Sequence, residues 1–222
     1  MPFTFVQGVS NDSSSPATFS GVVAGALLVV WFKWESTTAP TAATDTAGDT
    51  WFLAPRINHS NGDLHGVYAY CIGASAGSHI VTLSPNPAAF PRTRGAEFSF
   101  SGGTPTVVGP QSNQAAASLV TSGNLTVSGS DILALGGNGE YQGIALLSHQ
   151  INGVAASVAA TGDYVDLWYR IISAGYTGAA TVDQGVIADY VCSQIAFVIG
   201  GSGGAAGAFP FRPQPMAHMI LR

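Results

Sequence analysis

The chain has 222 residues, a formal net charge of −5, 9% charged residues and 46% apolar ones. That length fits one large domain or two small ones and buries a core without metals or disulfides, while the longest apolar run stays far short of the ~18 residues of a membrane span. A single lysine, Lys33, and scattered arginines (Arg56, Arg92, Arg94, Arg170, Arg212, Arg222) leave no basic stripe for phosphates, so neither nucleic acid nor membrane is an expected partner.

Phe3 to Val9 alternates apolar and polar residues and predicts a first strand. Phe19–Val23 predicts a second, turning at Ala24-Gly25 into Ala26-Leu-Leu-Val-Val-Trp-Phe-Lys-Trp34, where an almost unbroken run of extended-chain formers predicts a buried strand. Thr44-Asp-Thr-Ala-Gly-Asp-Thr-Trp51 then reads as a tight connection into another strand. Further on, Gly66–Ile72 and Ser78–Ser84 read as a hairpin joined through Gly73-Ala-Ser-Ala-Gly77, and Pro85, Pro87 and Pro91 predict a loop carrying Arg92 and Arg94.

Ala96–Ser101 alternates cleanly, whereas Thr104–Ser122 is polar, with a helical turn expected at Ala115–Ala117. Asn124–Val127 and Asp131–Leu135 predict strands, Gly136–Gly139 a turn, and Ile144–Leu147, Asp166–Ile172 and Tyr190–Ile199 the remaining strands. The fold class expected is all-β, an antiparallel β-sandwich of jelly-roll type over residues 1–199, with the first and last strands adjacent. From Gly200 a Gly-rich linker leads to a Pro-rich arm, 200–222, whose Phe209, Phe211, Met216, Met219, Ile220 and Leu221 are expected to dock on its own sandwich or on a neighbouring subunit, with simple disorder the remaining alternative. Cys71 and Cys192 both fall in strand-like sequence and read as buried free thiols; a disulfide would need an oxidising compartment.

Little chemistry is legible. Gly73–Gly77 matches the G-x-S-x-G string that would make Ser75 a nucleophile with His149 as base, but strand-like sequence follows where that mechanism needs a helix. His59, Asp63 and His65 share a loop and have metal-ligand chemistry, yet solvated loop residues are the simpler reading. Asp45 and Asp49 lack the further carboxylates of a calcium loop, and Asp163 with Asp166 lies in no marked cleft. No catalytic residue, metal or cofactor is expected. Trp34, Trp51 and Trp168 would form a glycan platform only if exposed side by side.

The order of Phe5-Val-Gln7, Gly25–Val30, Thr44–Trp51, Tyr68-Ala-Tyr70, Glu97-Phe-Ser99 and Gln194-Ile-Ala-Phe197 resembles a widespread family of bacterial and bacteriophage β-sandwich domains of poorly defined function. In phages such domains look like accessory virion proteins of capsid or tail; in secreted bacterial proteins they are similar to adhesion or carbohydrate-associated modules. The opening Met-Pro-Phe-Thr-Phe has no positive n-region or apolar h-region. With the terminal arm, it favours the virion form. The resemblance thus implies a non-enzymatic virion structural protein, a capsid-decorating or tail-associated homo-oligomer that binds itself and other virion proteins. A carbohydrate-binding or adhesion module at the cell surface is the alternative.

Overall fold

A computed structural model describes residues 2–12, 16–60, 62–87, 91–144, 146–162 and 164–200. Among them the strands are β1 (Phe3–Asn11), β2 (Ala17–Val22), β3 (Ala26–Trp34), β4 (Ala42–Thr44), β5 (Phe52–Leu53), β6 (Ile57–Asn58), β7 (His65–Ala74) and β8 (Gly77–Ser84). They continue as β9 (Arg92–Phe100), β10 (Thr106–Val127), β11 (Ile132–Glu140), β12 (Ser148–Ile151), β13 (Val154–Ala155), β14 (Ser157–Ala160), β15 (Val165–Ile172) and β16 (Tyr176–Val198). All pairings are antiparallel, and the described residues form no helix.

Two sheets face each other. The first runs β1-β9-β3-β7-β5, with β6 also on β7; the second runs β13-β12-β16-β11-β15-β14, with β10 also on β16. Between them lie Phe3, Leu27, Val29, Trp31, Tyr68, Phe98, Leu133, Leu135, Leu167, Ile195 and Phe197. Each sheet is also covered on its outer face. A three-stranded sheet, β2-β8-β4, closes over Leu28, Val30, Phe32, Trp34, Val67 and Cys71. The second sheet covers itself: β10 and β16 stay paired along their length but bend near Ala117/Ala188, so Val120, Leu125, Val127, Ala180 and Val182 return over Ile132, Ala134, Trp168, Cys192 and Ala196.

This layering explains the buried run at 26–34. Alternate residues of a strand face opposite sides, and β3 has a core on each side, so all nine of its residues are buried. β11 is buried along its length for the same reason.

Several expectations need correcting. The 73–77 segment is not a hairpin turn, because β7 pairs with β3 and β5 while β8 pairs with β2 and β4; the chain turns a corner from one sheet to the next. Ala115–Ala117 is strand, inside the 22-residue β10. Gly136–Gly139 belongs to β11, where the glycines make room for large side chains: a Cβ on Gly137 would lie 2.6 Å from the Trp31 ring and one on Gly136 2.2 Å from Trp168. Ile144, Leu146 and Leu147 are not strand; β12 starts at Ser148. Arg94 is not on a loop but fully buried in β9. Finally, β1 and β16 lie in different sheets, so the adjacent termini expected of a jelly roll are absent.

Candidate functional site

The Asp45–Asp49 turn and the 74–79 corner meet in a polar cluster. Asp45 Oδ1 accepts the Gly48 and Asp49 N–H groups at 2.7 and 3.0 Å, the local bond that makes Asp-x-x-Gly-Asp a turn. Its Oδ2 accepts from His79 Nδ1 at 2.7 Å, and His79 Nε2 donates to the Ser75 carbonyl at 2.9 Å. Both acceptors lack protons, so both ring nitrogens carry one and the imidazole is cationic. Asp49 Oδ2 accepts from the Ser75 N–H at 2.8 Å and from Ser75 Oγ at 3.1 Å.

Ser75 is therefore held by a carboxylate, and His79 touches its carbonyl rather than its hydroxyl, so the nucleophile arrangement does not form. Among the described residues, Asp45, Asp49 and His79 are the one group of three His, Cys, Asp or Glu side chains with ligand atoms within 4.8 Å of one another; His59, Asp63 and His65 do not converge this way. The cluster pins two chain segments together.

Burial alone would lower the His79 pKa, but the Asp45 hydrogen bond, the Ser75 carbonyl and both carboxylate charges outweigh it and the group is raised above 6.5. Burial would likewise raise Asp45; the bonds from His79 and from the turn N–H groups reverse that, holding it below 3.8. Stability from the raised histidine is fully present below pH ~6.5 and lost as pH rises through the folded pKa; stability from the depressed carboxyl is present above pH ~3.8 and lost as pH falls through its folded pKa. The urea midpoint is accordingly expected to be lower at pH 9 than at pH 5.5, and His79→Gln to remove the alkaline part of that difference. An unchanged alkaline slope in His79→Gln would show that the pin does not titrate.

A second cluster closes one end of the sandwich. The Lys33 ammonium, fully buried, bonds the Glu35 carboxylate and lies 5.5 Å from the centre of the Tyr164 ring and 5.8 Å from that of Tyr141. The Arg92 guanidinium stacks on Tyr164 at 4.1 Å. Burial lowers the Lys33 pKa, with Glu35 opposing, and burial raises that of Glu140, whose carboxylate accepts the Gln142 and Ile144 N–H groups. These bonds use the carboxylates for chain closure.

His149 Nε2 and Asp166 Oδ2 are 2.7 Å apart, with Asp166 Oδ1 accepting from Thr161 Oγ1 and the Gly162 N–H, so His149 pairs with Asp166 while the Ser75 hydroxyl pairs with Asp49. Asp163 lies outside the described residues.

The tryptophans do not form a platform. Trp34 and Trp168 are fully buried, in different cores, their indole N–H groups donating to the Thr38 and Gln150 carbonyls, and Trp51 is half-buried against the Trp34 core. Cys71 and Cys192 are both free and buried, also in different cores. Burial pushes the Cys71 thiol up to about 12 and the Cys192 thiol higher still. Ellman's reagent is expected to titrate neither thiol in the native protein and both after denaturation; rapid native reaction would contradict the packing of these cores.

One surface feature escaped sequence reading. At the bend of β10 and β16, Leu119, Leu147, Val186 and Ile187 are exposed, Leu147 by 68% and Ile187 by 73%. Leu119 is in register with Asp183, the Leu147 N–H donates to the Asp183 carbonyl at 2.8 Å, and the Leu147 side chain lies 3.2 Å from where a Gly185 Cβ would sit. Leu119 and Leu147 thus lie on either side of Asp183, and Val186 and Ile187 follow it in the same bend. The bend is fixed from beneath by buried Gln184, whose amide donates to the Ala117 and Ala188 carbonyls. The arm residues Phe209, Phe211, Met216, Met219, Ile220 and Leu221 lie outside the described residues.

No protein-family model, curated protein or solved structure matches the chain.

Proposed function

We propose that this is a non-enzymatic structural protein that assembles with copies of itself and with other virion proteins, as a capsid-decorating or tail-associated subunit. The observation that carries the reading is the apolar patch at the β10/β16 bend. Four large apolar side chains held in water on a fixed bend mark a contact surface. The polar clusters fit the same reading, since Asp45, Asp49, His79, Glu140 and Asp166 each bond groups of the chain itself. The resemblance of the 5–7, 44–51 and 194–197 segments to phage accessory domains supports the virion setting.

The test is to purify virus particles from a culture producing this chain and quantify it by mass spectrometry. A fixed ratio to the major capsid or tail subunit through successive density gradients is expected. Presence in the soluble fraction alone would overturn the virion reading.

A further inference from the structure

We propose that Asp45, Asp49 and His79 bind one zinc-class divalent ion, as a structural metal site with three protein ligands. This goes beyond the assembly reading and does not depend on it. Both carboxylates come from the turn before Trp51 and the imidazole comes from β8, so the ion clasps that turn to the corner between β7 and β8.

The ligand atoms already converge. Asp45 Oδ2 and Asp49 Oδ2 lie 2.7 and 3.5 Å from His79 Nδ1, and the three side chains bring their ligand atoms within 4.8 Å of one another. Around an ion held at about 2.0–2.1 Å, neighbouring ligand atoms stand roughly 3.0–3.4 Å apart, so the two distances to the imidazole bracket what the ion requires. Each ligand is also held from behind. His79 Nε2 donates to the Ser75 carbonyl at 2.9 Å, the usual support of a metal-binding imidazole, which leaves Nδ1 to face the ion. Asp45 Oδ1 is fixed by the Gly48 and Asp49 N–H groups, and Asp49 Oδ2 by the Ser75 N–H. The His79 and Asp45 side chains are fully buried and that of Asp49 is 17% exposed, so water completes the coordination from the Asp49 side.

Charge points the same way. Among the described residues the ion pairs of Asp45 and Asp49 are both to His79, so one imidazolium faces two carboxylates and one negative charge is left over. Its field reaches Cys71, whose thiol both carboxylates help to hold up. An ion that displaces the Nδ1 proton to solvent leaves a neutral imidazole and two carboxylates around two positive charges, and the site balances. One nitrogen and two carboxylate oxygens suit Zn²⁺, whereas Ca²⁺ and Mg²⁺ seek sets made of oxygen alone.

The test titrates ZnCl₂ into the full-length chain, first stripped with EDTA and dialysed, by calorimetry, beside Asp49→Asn and His79→Gln. Asparagine at 49 keeps an oxygen for the Ser75 N–H and hydroxyl, and circular dichroism checks that the variant folds; Asp49→Asn decides the matter if His79→Gln does not fold. The expected result is one zinc ion per chain, at least ~10-fold weaker in each folded variant. Zinc should raise the thermal midpoint of the parent and leave that of the variants where it was, and Ca²⁺ or Mg²⁺ should raise neither. No saturable zinc binding by the parent would overturn the site. So would binding that Asp49→Asn leaves unchanged, which is what zinc on His59, His65, His149 or His218 would give. An equal response to Ca²⁺ or Mg²⁺ would overturn the zinc-class assignment. The assembly reading stands or falls separately, on the mass of the chain in solution.

Discussion

Replacing Trp31 by Ala is expected to lower the stability of the protein by about 4 kcal/mol, within the range for emptying a buried tryptophan site. Trp31 is fully exposed to the core between the two main sheets and not at all to water. Its ring lies over Gly137 of the opposite sheet and Gly66 of its own, positions where even a methyl group would come within 2.6 Å of it. Its indole N–H donates to the Asn138 carbonyl at 2.9 Å, and Tyr68 packs beside it, tilted by 55°, with ring centres 4.7 Å apart. Alanine therefore leaves a void bounded by glycines, which have no side chains to collapse into it, and orphans a buried carbonyl bond. Urea unfolding checks this: the midpoint should fall steeply with little change in slope. A loss below about 1.5 kcal/mol would mean that the sheets do not meet around this ring.

Arg94→Met is expected to cost about 3 kcal/mol, from the loss of charge-assisted hydrogen bonds to buried carbonyls, about 1.5–3 kcal/mol each. The Arg94 side chain is fully buried in β9, and its guanidinium donates to the carbonyls of Val165, Asn11 and Thr93 at 2.8, 3.2 and 2.8 Å and to the Asp12 carboxylate. It thereby joins β1, β9 and the start of β15, and Gly162 is required beside it because a Cβ there would overlap the guanidinium. Methionine fills much of the volume but takes the guanidinium donors away from three carbonyls. Arg94→Lys keeps the charge and loses the fork of donors, so it should recover only part of the stability. Equal midpoints for Arg94→Met and the parent would show that the guanidinium contributes nothing to joining these strands.

These two sites also show what could be read from the sequence. The buried strand at 26–34 was legible because one strand with a core on each face loses its alternation and becomes a continuous apolar run. The Asp45–Asp49 turn was legible because an Asp side chain bonding N–H groups a few residues on is local chemistry. What the turn holds was not: His79 and Ser75 arrive from another segment of the chain. Arg94 misled for the same reason, since an arginine between Thr and Gly after several prolines looks solvated until carbonyls from 11 and 165 are brought to it. Gly136, Gly137 and Gly139 misled because glycine signals a turn or a close approach equally well, and the aromatic rings that settle the choice come from distant strands. The long β10 was hidden because its first half is rich in Gln, Ser, Asn and Ala, and only pairing with β16 makes it a strand. The patch at the bend was invisible because Leu147, Leu119 and Ile187 are ordinary core residues in composition, and only the fold leaves them outside.

The most direct test of a contact-forming role is the mass of the purified full-length chain in solution, by sedimentation velocity from about 1 to 100 µM, where subunit association shows as a concentration-dependent mass. Assembly requires species at multiples of 22.6 kDa that grow with concentration. A single 22.6 kDa species across the whole range would contradict it.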